Sequence, residues 1–161
     1  MSRLLNEKKA VPLLTRLLLG LALSLFMPFA GAQNNLGELL DAGAKKISPD
    51  EFREDVVQRT IVGSTSSGVR MELMYASTGV IQGRSDINPS TGGGTGGMNV
   101  ISPIDGVWTV DDSGRICASI VIGRTFLPFR CEYWFKYKDD YFLALSDSDP
   151  KAKLLRRTVK Q

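Results

Sequence analysis

Residues Phe129 to Lys138, FRCEYWFKYK, alternate with a period of two, and that period decides the fold class. Phe129, Cys131, Tyr133, Phe135 and Tyr137 fall on one face, while Arg130, Glu132, Lys136 and Lys138 fall on the other together with Trp134. A helix repeats every 3.6 residues, so strict alternation over ten positions specifies a half-buried strand. A strand needs neighbours on both edges. On the N-terminal side, Arg115 to Ile122 (RICASIVI) is apolar at nearly every position, which predicts a central strand covered on both faces. On the C-terminal side, Lys138-Asp139-Asp140 turns the chain into Tyr141 to Leu145. After Ser146 to Pro150, the segment Ala152 to Val159 can close the sheet.

The same period runs upstream. Met71, Leu73 and Tyr75 alternate with Arg70, Glu72 and Met74, and Ser77-Thr78-Gly79 turns them into Val80 to Arg84, a hairpin. Ile87 to Met98, with Pro89 and five glycines, reads as a loop. Gly106 to Asp111 leads through Asp112-Ser113-Gly114 into RICASIVI, and Arg59 to Val62 is a weaker strand. Two helical segments precede the strands. Leu36 to Lys46 is weakly amphipathic, and Pro49 to Val57 follows a capping box of Ser48 and Glu51 with Pro49 at the first helical position. The chain is therefore mainly β: one or two N-terminal helices, then about eight antiparallel strands in an up-and-down meander. Closing the meander into a small barrel removes both exposed edges. An open sheet wrapped around the N-terminal helix is the alternative. Eight strands enclose either packed side chains or space for one small ligand.

The N-terminus carries Arg3, Lys8, Lys9 and Arg16, then the apolar run Leu17 to Phe29, then Ala30-Gly31-Ala32. That pattern is a secretory signal peptide with cleavage between Ala32 and Gln33. An uncleaved anchor over Val11 to Ala32 is the alternative, and would be the protein's only tie to a membrane. The expected organisation is a leader at 1–32, a helical linker at 33–47 and a single domain at 48–161. The whole chain of 161 residues has 20 Lys+Arg and 17 Asp+Glu. The leader holds four of those bases and one acid, so 16 of each remain and no global basic field attracts nucleic acid. The expected location is periplasmic or secreted. The basic tail Lys151, Lys153, Arg156, Arg157 and Lys160 reads as a solvated face.

Export makes Cys117 and Cys131 a disulfide pair, with two free thiols as the alternative. If they face one another across a hairpin, paired positions sum to 248: Ser119 meets Phe129, Val121 meets Leu127, and the turn centres on Arg124. The chain has no histidine. This removes Ser-His-Asp and Cys-His catalysis and His-ligated zinc. Gly92, Gly94 and Gly97 satisfy GxGxxG, but no strand leads into them and no helix follows, so a cofactor loop is rejected. Asp147 and Asp149 lack the spacing of a calcium loop and read as turn formers, as do Asp111 and Asp112. Ser64, Ser66 and Ser67 have no base in a recognisable motif. No enzyme activity, cofactor or metal is expected.

A secretion signal, a capped helix at SPDEF, a strand at IVGSTSSG, a hairpin at MYASTGVIQG, GVWTVDDSGRIC, CEYWFKYKDDYF and a basic last strand together resemble an uncharacterised family of small exported bacterial domains. The resemblance covers Ile47 to Val159 and implies one helix followed by a meander. The glycine run at Gly92 to Gly97 departs from it, and no catalytic motif is carried over. Two functions remain. The first is a non-enzymatic envelope module that binds a protein or glycan through Trp134, exposed on the charged face beside Arg130 and Lys136; a Trp134 covered by a helix or by the closing strand would remove it. The second is a lipocalin-like carrier whose hollow barrel is lined by Trp108, Tyr133 and Phe135, residues that serve equally well as solid core.

Overall fold

The computed structural model describes residues 34–87 and 100–160. The leader, its expected cleavage point and the glycine run at Gly92 to Gly97 lie outside the described residues. The described chain contains two helices, α1 (Leu36–Asp41) and α2 (Pro49–Asp55), and nine strands. These are β1 (Lys45–Lys46), β2 (Thr60–Ser64), β3 (Arg70–Tyr75), β4 (Val80–Ile87), β5 (Val100–Val110), β6 (Ile116–Ile122), β7 (Thr125–Tyr137), β8 (Asp140–Ala144) and β9 (Leu155–Val159). Each strand from β2 to β9 pairs antiparallel with the next, and β9 returns to pair with β2. The result is a closed eight-stranded up-and-down barrel. β1 is a two-residue addition beside Phe135 and Lys136 of β7.

Local chemistry sets the ends of these elements. Ser48 caps α2, accepting from the Glu51 N–H at 3.2 Å, while the Glu51 carboxylate accepts from the Ser48 N–H at 2.7 Å. The first helix is shorter than the expected Leu36 to Lys46, because Gly43 takes φ 94° and ends it. The N–H of Gly43 then bonds the Leu40 carbonyl and that of Ala44 the Leu39 carbonyl, which satisfies the last turn and frees Lys45 and Lys46 to pair with β7. Asp111 organises the β5–β6 turn by accepting from the Ser113 and Arg115 N–H groups at 3.0 and 2.9 Å.

The Cys117–Cys131 disulfide is present and joins directly opposed residues of β6 and β7. Closing this loop is worth roughly 3 kcal/mol in the chain-entropy account. The expected register holds at Cys117 with Cys131 and at Ala118 with Arg130, then slips by one, so that Ile120 meets Leu127 and Val121 meets Phe126. Pro128 sits in the slip. It has no N–H to give the ladder, and a bulge accommodates it.

The core lies inside the barrel and at one end of it. Phe52 of α2 is fully buried and closes that end, with its ring 5.4 Å from Tyr75, 5.3 Å from Trp108 and 4.9 Å from Trp134. Asp55, at the end of the same helix, accepts from Lys136 Nζ at 2.6 Å and from the Tyr141 hydroxyl at 3.0 Å. A second apolar cluster lies outside the barrel wall, where Leu36 and Leu39 of α1 cover Phe135 and Phe142. β8 is thus buried on both faces from Tyr141 to Ala144. β6, the strand expected to be central, is not covered throughout: Val121 on its outer face is 37% exposed.

Candidate functional site

The faces of β7 are assigned the opposite way from the sequence expectation. Trp134 points inward and is buried, packing against Phe52, Tyr75 and Tyr141. Its alternation partners Glu132 and Arg130 line the same interior. The apolar face carrying Tyr133, Phe135 and Tyr137 points outward and is covered by the segment from Leu36 to Ala44. Trp134 is therefore unavailable as a surface contact, and Tyr133 and Phe135 do not line the barrel interior. The physical reason is the extra layer: once α1 covers the outside of β7, the outer face is the more apolar one. Lys136 is exposed but its ammonium is held by Asp55, and Arg130 is paired with Glu132 at 3.0 Å. Trp108 packs against the core at the end closed by α2, its indole N–H donating to the Ala76 carbonyl at 2.8 Å.

The end of the barrel opposite Phe52 is hollow. A cavity of about 530 Å³ opens there, within the ordinary range for a site that takes one small molecule. Leu73, Tyr75 and Leu143 form its depth, Ile120 and Leu127 its wall, and the exposed Ser66, Ser67 and Phe129 its rim. The opening follows from strand length. β7 runs 13 residues, but β8 ends where Ala144 pairs with Tyr133, so Thr125 to Glu132 have no β8 residue beside them. The β6–β7 hairpin forms one lip. The β2–β3 turn, Thr65 to Val69, forms the other.

The polar content of this apolar space is small and specific. Arg157 of β9 belongs to the tail expected to be solvated, yet it is buried and lines the cavity. Period two explains it: Leu155, Arg157 and Val159 share the inward face, which alternation in LRRTV could have shown. Its side chain lies across Gly63, its partner on β2, where an added Cβ would stand 2.5 Å from Arg157 Cδ and 2.6 Å from Nη1. Nη1 donates to the carbonyls of Ser64 and Arg156, both at 2.9 Å. Nε is buried and has no partner among the described residues. Burial lowers the Arg157 pKa, while the nearby Tyr75 and Glu132 act to raise it. Burial also raises the Glu132 pKa, against the opposing pull of Arg130 and Arg157, and holds the Tyr75 phenol at about 12. A cation this far withdrawn from solvent, with one N–H unpartnered among the described residues, is costly to keep.

The remaining acidic motifs are structural. Asp147 pairs with Lys46 at 2.7 Å, and Asp149 accepts from the Lys151 N–H at 2.9 Å. Asp111 lies near both cysteine sulfurs, but their disulfide leaves neither thiolate to bind a metal. Among the described residues no helix is long and apolar enough to cross a membrane. That observation and the disulfide are compatible with an exported protein. No family model matches the chain, and neither the curated proteins nor the solved structures contain a match.

Proposed function

We propose that the protein is a non-enzymatic small-molecule binding barrel, exported after cleavage between Ala32 and Gln33, that takes one apolar ligand into its open end. The single observation that supports this reading is the mainly apolar cavity of about 530 Å³, set in a barrel whose other end is closed by Phe52. An apolar void of that size forfeits packing that the same strands supply elsewhere in the core, and a guest restores it. This carrier function displaces a surface module centred on Trp134, because that side chain lies inside. Catalysis has no support in the residues facing the cavity: the chain has no histidine, and Glu132 is tied to Arg130.

Titration of the purified protein with N-phenyl-1-naphthylamine, a neutral apolar fluorophore, tests the reading. Saturable one-to-one enhancement is expected, and Ala118→Trp, which places an indole in the cavity, should abolish it while leaving the circular dichroism spectrum unchanged. A flat titration of the wild-type protein would overturn the proposal. So would equal binding by the filled variant, since the probe would then sit elsewhere.

A further inference from the structure

We infer that the ligand is an aliphatic monocarboxylic acid, its carboxylate seated on the guanidinium of Arg157 and its chain lying along Leu73, Ile120 and Leu127. This deepens the proposed function and rests on it. Arg157 is 4% exposed, lines the cavity, and among the described residues donates only through Nη1, so the edge formed by Nε and Nη2 has no acceptor among them. That edge presents two parallel N–H groups, the geometry a carboxylate takes in bidentate fashion.

The charges around the cavity select the sign and number of the ligand's charge. Arg130 and Arg157 face Glu132, and Glu132 is already engaged by Arg130 at 3.0 Å. One positive charge therefore stands over. A neutral guest would cover Arg157 without supplying an acceptor, and a cation would meet a like charge in a space of low polarity. A dianion such as a phosphate monoester would carry one charge more than this surplus, and the hydroxyls of Ser66, Ser67 and Thr125 that also line the space carry no charge to meet it.

The backbone is shaped for this side chain. Gly63 stands opposite Arg157 on β2, and any larger residue would occupy the volume through which Cδ and Nη1 pass. A glycine weakens a strand interior, so its position under the arginine shows a strand fitted to hold the guanidinium against the cavity.

The experiment is displacement of bound N-phenyl-1-naphthylamine from the wild-type protein by three compounds of equal chain length: decanoate, decanol and decyltrimethylammonium. A charged hydrogen-bonded pair predicts that decanoate displaces at a concentration roughly tenfold or more below decanol, with the ammonium weakest. Equal midpoints for acid and alcohol, or a preference for the ammonium, would overturn the assignment to an acid while the probe's own saturable binding upheld the cavity. Failure of the probe to bind would instead sink the carrier reading beneath it. In Arg157→Met the ratio of decanol to decanoate midpoints should fall toward unity; a ratio kept at its wild-type value would remove Arg157 from the site. If Arg157→Met does not fold, the wild-type series decides the question alone.

Discussion

Replacing Gly63 with alanine is expected to damage this protein far more than a methyl group in a strand normally does. The new Cβ would stand 2.5 Å from Arg157 Cδ, 2.6 Å from Nη1 and 2.9 Å from the Arg156 carbonyl oxygen. The arginine side chain must leave its bed, and with it go the bonds from Nη1 to the Ser64 and Arg156 carbonyls. Hydrogen bonds to a charged group contribute about 1.5–3 kcal/mol each, and alanine offsets about 0.5–1 kcal/mol through its lower backbone entropy in the unfolded chain. A net loss of about 2–5.5 kcal/mol follows from these two contributions. Urea unfolding, followed by tryptophan fluorescence, measures it. The decisive comparison is a double-mutant cycle with Arg157→Ala, in which the clash with the side chain no longer exists. In that background Gly63→Ala should cost under about 1 kcal/mol, the residue of the crowded carbonyl. Equal costs in the two backgrounds would refute the claim that Gly63 is there to make room for Arg157.

Phe52→Ala should lower stability by about 3–5 kcal/mol, because the ring is fully buried among Tyr75, Trp108 and Trp134, and unfolding in urea reads the loss directly. Asp55 has a folded-state pKa below its ordinary 3.8, chiefly through its hydrogen bond from Lys136. The stability it contributes is therefore complete above that value and lost as pH falls through the lower folded one. Asp55→Asn should flatten that acid limb, with a loss at neutral pH held under about 2 kcal/mol by the exposure of Lys136. An unchanged acid limb in thermal melts across pH would show that α2 is not held by this carboxylate.

Strand order and closure were legible because they depend on local signals: turn residues at Ser77-Thr78-Gly79 and Lys138-Asp139-Asp140, and alternation between them that makes successive hairpins. The cysteine pair was legible from an even count behind an export signal, and its register from a hairpin, which relates residues by a simple sum until a proline disturbs it. The direction of a face was not. FRCEYWFKYK shows that two faces differ but not which one meets the barrel interior, and the answer depends on α1, whose Leu36 and Leu39 lie almost a hundred residues away in sequence. Once that helix covers Phe135 from outside, the charged face with Trp134 must be the inner one, and the candidate site moves from the surface to the cavity. Arg157 was missed because a run of basic residues was weighed by composition rather than by period. Leu155 and Val159 on either side of it share its face.

The seam of the barrel joins the first of its strands to the last. β2 and β9 meet through Ile61 with Val159, Val62 with Thr158 and Gly63 with Arg157, and that third pair holds the guanidinium that faces the cavity. A chain that emerges from its N-terminus carries Gly63 long before the residue that completes the pair. Until β9 is available, seven strands can form hairpins, but there is neither a closed wall nor Arg157 to line it. Closure of the wall and the seating of Arg157 arrive in one event. Under the proposed function, a guest that engaged Arg157 would favour the zipped seam over the open one by mass action, and cargo would act as a clasp on the fold as well as its load.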